Sequence, residues 1–319
     1  GEYQDAYTLF KKSLTENKDA KITARATFWK GEGEYSLDQF SEAVLTYKQF
    51  LNNTSVSVTP ELKTVNYNLA DAYFKIKEYE NAIPYFNTYI AQSKEDRNRL
   101  TDAYLRMADC NYISSKYWPA MDAYNKAIEL KCVDADYAAF QKGMSYGFVN
   151  KNDKKIEDLT KFVSTYKTSQ YLDDALYELG NTYTAEEMND KAISTFDNLI
   201  NNNKNSAYVA KSILKQGLIY YNTDKDDAAI TKFKKVVAEF PNSPESLEAV
   251  ATAKSIYKAN GKVGEYAAWV KTLSFVEVTD AELDNDMYES AEKQYLNNSP
   301  KKAIEGFTSY LAQFPNGLH

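Results

Sequence analysis

The sequence predicts an all-α chain built as a solenoid of antiparallel helix pairs, and three observations predict it. First, small residues recur at a nearly fixed interval, each followed by a β-branched residue or Met and then by an aromatic. The anchors are Ala43, Ala82, Ala120, Ala192, Ala229 and Ala303, with weaker equivalents at Ala6, Lys155 and the Tyr266-Ala267 pair. From Ala6 to Ala303 there are eight steps of about 37 residues, and a period of roughly 20 to 50 residues signals a repeat array rather than a globular enzyme. Second, the pattern inside each period is helical. Leu176, Leu179, Gly180 and Tyr183 fall at i, i+3, i+4 and i+7, and after a polar turn Ala192, Ile193, Phe196, Leu199 and Ile200 again share one face. Third, Gly143, Gly180 and Gly217 stand 37 residues apart.

Taken in order, residues 1–16 form a partial unit, in which Tyr3 to Leu14 make a second-type helix with no first helix before it. Helix-pair units, seven of them complete or nearly complete, then fall at about 19–53, 58–93, 96–131, 134–167, 169–203, 206–241, 243–273 and 280–314, a single array from 1 to 319. Glycine inside a helix costs about 1 kcal/mol relative to alanine, so its repetition needs a gain from close helix approach. The expected arrangement sets the alanine twelve positions later against the glycine, with the aromatic four beyond it reaching towards the next unit. Pro60, Pro241, Pro244 and Pro315 sit where one helix stops or the next begins; Pro119 suits a first turn, and Pro84 implies a kink. Thr279 with Glu282 reads as a capping box opening the last pair. The pattern weakens at Lys155 and at Gly261-Lys262-Val263-Gly264. Neither end carries the polar cap of a finished array, so the sequence reads as a segment of a longer repeat protein, with Gly1 a tag remnant.

Composition excludes several functions. With 38 basic and 45 acidic residues the formal charge is −7, the wrong sign for nucleic-acid binding. No apolar run reaches the roughly 18 residues that a bilayer-spanning helix requires. Catalytic chemistry is equally thin. The one histidine, His319, cannot build a His-containing triad or a multi-histidine metal site. Gly31-Glu32-Gly33 is too short for a dinucleotide fingerprint and lies in a helix pattern. Asp224-Lys225-Asp226-Asp227 lacks the glycine and glutamate of a calcium loop, and reads as a turn that caps a helix. Asp280, Glu282, Asp284 and Asp286 read as first-turn acids favoured by the helix dipole. Cys110 and Cys132 form no CxxC pair, and Cys110 reads as a small buried hydrophobe. No cofactor, metal or catalytic residue is expected.

Gly217-x2-Tyr220-x8-Ala229-x3-Phe233 followed by Pro241 resembles the tetratricopeptide repeat, whose usual unit is a few residues shorter. The resemblance implies a right-handed superhelix whose first helices line a concave groove, and a non-catalytic scaffold holding a protein or peptide there. The groove residues it implies are Trp29, Glu32, Tyr35, Tyr67, Asp71, Phe74, Arg106, Asp109, Tyr112, Phe140, Tyr177, Asn181, Lys211, Lys215 and Tyr221, with Asp174, Glu178, Tyr288 and Tyr295 beside them. Wide rings with mostly negative charge suit an extended segment carrying basic and apolar groups. The stretch from Phe233 to Pro244, echoed by Tyr310-Leu311-Ala312-Gln313-Phe314-Pro315-Asn316, is similar to bacterial envelope repeat proteins such as the outer-membrane assembly lipoprotein BamD and the Tol-Pal coordinator. Abundant Tyr, Asn and Lys with four Arg resembles the Bacteroidetes type. That resemblance implies the periplasm or an outer-membrane-associated location, with attachment through a region preceding this segment; a cytoplasmic location is the alternative. Two other functions are kept. A chaperone adaptor with a carboxylate clamp would use Lys211, Lys215 and Asn181, although Phe140 and Met144 break its pattern. The repeat region of a larger enzyme such as a lytic transglycosylase would draw attention to Glu245-Ser246 and Glu289-Ser290, which lie within the repeat pattern.

Overall fold

The computed structural model describes residues 2–92 and 96–319. Gly1 and the end of the 58–93 unit lie outside the described residues. The described residues form seventeen α-helices and one 3₁₀ turn, with no strand among them, grouped in two compact units, residues 1–172 and 173–319.

Unit one opens with α1 (Glu2–Glu16), which packs on α2 (Ala20–Ser36). Helix α2 pairs with α3 (Phe40–Leu51); after the 3₁₀ turn at Val56–Val58 follow α4 (Leu62–Lys75) with α5 (Tyr79–Gln92), α6 (Arg97–Ile113) with α7 (Tyr117–Glu129), and α8 (Ala135–Phe148) with α9 (Asn152–Thr165). Unit two holds α10 (Leu172–Ala185), α11 (Asn189–Asn202), α12 (Val209–Asn222), α13 (Asp226–Glu239), α14 (Pro244–Ala259), the eight-residue α15 (Val263–Val270), α16 (Asp280–Leu296) and α17 (Pro300–Gln313). Pro84 lies inside α5, which runs through it as one helix, and Pro119 falls in the first turn of α7. The capping box at Thr279 and Glu282 is present in both directions.

Each helix pair closes through one left-handed residue: Asp38, Lys77, Ser115, Asn150, Glu187, Asp224, Gly261 and Asn298, with φ between 54° and 74°. The next amide reaches back over the turn, as in Glu78 N to Tyr73 O at 2.9 Å, Met188 N to Tyr183 O at 2.8 Å and Lys225 N to Tyr220 O at 2.9 Å. This six-to-one bond satisfies carbonyls that the helix end would otherwise leave unpaired. Glycine is the residue that suits such a backbone best, yet it stands at only one of the eight turns. At 224–227 no side chain caps α13; Lys225 holds the cap position without a side-chain bond, contrary to the sequence expectation, and Asp226 instead accepts from Asn260 at 2.7 Å.

The close approach at the glycines is real, but its partner differs from the expected alanine. A Cβ on Gly180 would lie 2.5 Å from Phe196 Cε1, and one on Gly217 would lie 2.5 Å from Phe233 Cε1. The same offset of sixteen sets Gly31 against Tyr47 and Gly143 against Leu159. Thus the ring of the second helix lies on the glycine of its own pair instead of reaching for the next unit. Ala192 and Ala229 are fully buried, as small anchors should be. Where Lys155 replaces alanine, its stem lies along Gly147, where a Cβ would be 3.3 Å from Lys155 Cδ. Lys155 is itself buried, so a bulky residue at one place is accommodated by a glycine at another.

Candidate partner-binding surface on the first helices

In unit one the implied groove residues lie on α2, α4, α6 and α8, and most of their polar groups are engaged with a neighbouring repeat. The Tyr35 hydroxyl donates to Asp71, and Tyr67 donates to Asp102 at 2.5 Å. Arg106 Nε bonds Asp102 at 3.0 Å and lies 3.3 Å from Asp71, its guanidinium 5.2 Å from the centre of the Phe74 ring. Glu32 accepts from Tyr47 and Asn68, and Asp109 accepts from Tyr124 at 2.7 Å and Tyr137 at 3.0 Å. Trp29 donates from Nε1 to Glu61 at 3.1 Å, beside the Arg25 to Glu61 pair at 2.8 Å. Tyr112 packs at 5.8 Å against both Tyr117 and Phe148, and Phe140 stacks on Tyr171 at 5.6 Å.

The electrostatic consequence is direct. Carboxylates that are buried or hydrogen-bonded between repeats present few free oxygens for direct contact with a visiting cation. Asp71 is only 8% exposed. Burial pushes the Tyr35 and Tyr67 hydroxyls well above the ordinary phenol range, and the carboxylates they serve push the same way. Burial also raises Asp109, against the lowering effect of its two tyrosine donors. The negative charge that the sequence reading turned towards a partner is therefore used between repeats on this unit.

Unit two is arranged differently. Tyr177 of α10 stacks on Tyr208 at 4.5 Å, and the Tyr208 hydroxyl donates to Asp174 at 2.7 Å. Asn181 hydrogen-bonds Tyr177, and the Lys211 ammonium lies 5.7 Å from the centre of the Tyr208 ring. Lys211 is exposed and Lys215, one turn further along α12, is half-buried; neither forms an ion pair with a described residue. Tyr221 is exposed at the end of α12. On α16 Tyr288 stacks on His319 at 4.2 Å, and Tyr295 is 66% exposed.

Sequence reasoning missed Tyr208 and Asp102, and a recurring offset could have found the first. Phe140 with Tyr171, Tyr177 with Tyr208, and Tyr288 with His319 are each 31 residues apart and nearly parallel, at 9°, 16° and 14°. In the first two of these, a ring on a first helix meets a ring just ahead of the next first helix in sequence.

Several sequence motifs prove to be packing elements. The Ser246 hydroxyl is buried and donates to Ser243 O at 2.9 Å, while Ser290 donates to Lys258 O at 2.7 Å and Glu289 pairs with Lys258 at 2.6 Å. Asp280 and Glu282 do sit in the first turn of α16, but Asp284 and Asp286 are buried with partners of their own. Asp284 accepts from Tyr310 at 2.9 Å, and Asp286 lies 2.7 Å from Lys254 and 2.9 Å from Lys258. Cys110 and Cys132 are both free and buried, and burial pushes the Cys110 thiol up to about 12. No helix among the described residues is long and apolar enough to cross a membrane.

Sequence profiles of the tetratricopeptide repeat match residues 64–96, 174–206 and 211–243. No curated protein matches by sequence. The crystal structure of the apo form of RapI is similar over 98% of this chain and 92% of its own, with a TM-score of 0.53 at 14% identity. The C-terminal part of a TPR repeat-containing protein from Cytophaga hutchinsonii is similar over 91% of this chain and 96% of its own, with a TM-score of 0.51 at 14% identity. At such identities the likeness is one of fold. Helix pairing, register and profile agree that this all-helical chain carries tetratricopeptide repeats.

Proposed function

We propose that the chain is a non-catalytic protein-interaction scaffold that holds an extended segment of a partner protein on the first helices of unit two. The supporting observation is the pair Lys211 and Lys215, without ion-pair partners beside the Tyr177 and Tyr208 stack. Stacked rings offer broad contact area at low entropic cost, and unpaired ammonium groups favour a carboxylate. The partner segment is therefore acidic and apolar, where the sequence alone pointed to basic groups. A three-unit carboxylate clamp is not favoured, since Phe140 and Met144 occupy places where it needs Lys and Asn.

The test is titration of fluorescent nonapeptides, one acidic and aromatic and one basic, followed by anisotropy. The acidic peptide should bind, and the Lys211→Glu, Lys215→Glu variant should lose about tenfold or more, since reversing two charges changes attraction into repulsion. Equal binding of the basic peptide, or indifference to the variant, would sink the reading. We further place the scaffold in a bacterial envelope assembly, a reading supported by the Phe240-Pro241-Asn242 and Phe314-Pro315-Asn316 segments of the sequence. Fractionation of host cells carrying the tagged native gene checks this, and recovery in the cytoplasm alone would overturn it.

A further inference from the structure

Within unit two, α15 is the helix least tied to its surroundings. It has eight residues, against fourteen to seventeen in the other helices of the unit, and a helix of two turns has little stability of its own. Lys262 stands at its N-cap without a side-chain bond, and a cation there opposes the helix dipole. Gly264, in its first turn, departs from the rule seen at Gly180 and Gly217. A Cβ there would meet nothing within 4 Å, so no close packing offsets the conformational freedom of glycine. The connection that follows, residues 271–279, is the longest in the unit, and the amides of residues 274–278 make no backbone–backbone hydrogen bond among the described residues.

What holds α15 is mainly apolar. Val263, Tyr266, Ala267 and Val270 are buried; Val263 packs with Met287 of α16, and the Tyr266 ring lies 6.2 Å from that of Tyr257 on α14. Lys234 of α13 lies 5.4 Å from the centre of the Trp269 ring. No side chain of α15 forms an ion pair or hydrogen bond with another helix among the described residues. The helices before and after it are instead joined directly. Ser290 donates to Lys258 O at 2.7 Å, Gln294 donates to Ala259 O at 2.8 Å, and Asp286 pairs with Lys254 and Lys258. The frame of α14 and α16 therefore has its own polar ties. Beside the N-terminal end of α15 lies an open cavity of about 920 Å³, bounded by Gly261, Val263 and Gly264 and, across it, by Met287, Ala291 and Gly306.

We propose that α15 is a flap. With residues 271–279 it opens as one piece about Gly261, whose φ is 74°, while α14 and α16 stay paired. Opening uncovers the apolar surface beneath Val263, Tyr266, Ala267 and Val270 and joins it to the cavity. Few contacts break in the process, which is the condition for a sub-global opening well below the cost of unfolding. The flap does not rest on the peptide-binding reading of Lys211 and Lys215.

Native-state thiol labelling tests this. Ala267→Cys places a thiol beneath the flap, where the alanine is 4% exposed, and Ala229→Cys places one in α13, where the alanine is fully buried. Peptide mass spectrometry separates both from the free Cys110 and Cys132. The Ala267→Cys thiol should react about a hundredfold faster or more than the Ala229→Cys thiol, with a weaker dependence on low urea, because a local opening exposes less surface than unfolding. Gly264→Ala should slow it about two- to fivefold, since alanine loses less chain entropy on closing. Phe196→Leu, in α11, should speed labelling of Ala229→Cys and leave Ala267→Cys unchanged, because α11 stays folded when the flap opens. Hydrogen–deuterium exchange of the unsubstituted chain reads the same event without a cysteine variant: amides 267–270 should exchange about a hundredfold faster or more than amides 230–239. Equal labelling rates with equal urea dependence, rates that rise together in Phe196→Leu, no slowing by Gly264→Ala, or equal protection of the α13 and α15 amides would each overturn the proposal.

Discussion

Replacing Gly180 with alanine tests the packing rule on which the repeat rests, because two known effects oppose each other there. In an exposed helix interior the change would stabilise by about 1 kcal/mol, from reduced unfolded-chain entropy and better helix propensity. At Gly180 the new methyl would meet Phe196 at 2.5, 2.7 and 2.9 Å from three ring carbons, and Phe196 is fully buried. Overpacking of that kind costs about 1 to 3 kcal/mol. The difference is a net destabilisation of about 1 kcal/mol, read as a lower midpoint in urea unfolding followed by circular dichroism. Phe196→Leu removes the ring and recreates the Gly143 and Leu159 arrangement, where the nearest approach is 2.9 Å to a movable methyl. In that background Gly180→Ala should become neutral or stabilising, giving a coupling energy of about 1 kcal/mol or more in the double-mutant cycle. A wild-type background in which Gly180→Ala raises stability by the full helix-propensity gain would refute the idea that the ring, rather than chance, keeps glycine there.

Three further outcomes follow from the same geometry. Asp286 is largely buried, and although burial pushes its carboxyl upward, the bonds and charges of Lys254 and Lys258 outweigh it and hold it below the usual range. Its contribution is fully present above the unfolded carboxyl value of about 4 and lost as pH falls through the depressed folded value; Asp286→Asn should cost about 1 to 3 kcal/mol at neutral pH and flatten stability against pH below that point. At the left-handed turn residue Glu187, with φ of 57°, glycine should stabilise by about 0.5 kcal/mol, since relief of the left-handed strain exceeds the added unfolded-state entropy; a lower urea midpoint would count against the turn account. Burial and the neighbouring Asp109 charge leave the Cys110 thiol protonated at neutral pH, so it should resist alkylation in the folded chain until urea unfolds it; fast labelling of native protein, seen by mass spectrometry, would contradict that burial.

The repeat length, the helical period and the capping box at Thr279 were legible because each depends on residues close in sequence. Turn chemistry was legible only in part. Lys77, Ser115 and Glu187 carry no compositional sign of a left-handed backbone, yet each adopts it because two packed helices fix where the chain must reverse. The implied groove residues fall on the first helices of their pairs, but the sequence could not say which of their charges were already taken. Asp71 and Asp109 look like partner-facing acids until Tyr35, Arg106, Tyr124 and Tyr137, contributed by other helices, are seen to satisfy them.

What the sequence determined by itself was periodic: small residues near every thirty-seventh place and amphipathic helix pairs between them. What only the tertiary structure decided was pairing at a distance. It laid Phe196 on Gly180 rather than against the next unit, used the acids of unit one between repeats, and left Lys211 and Lys215 without an ion-pair partner among the described residues. The physical reason is that helical periodicity is a local property of one chain segment, whereas a carboxylate's availability depends on every donor that folding brings within hydrogen-bond reach of it.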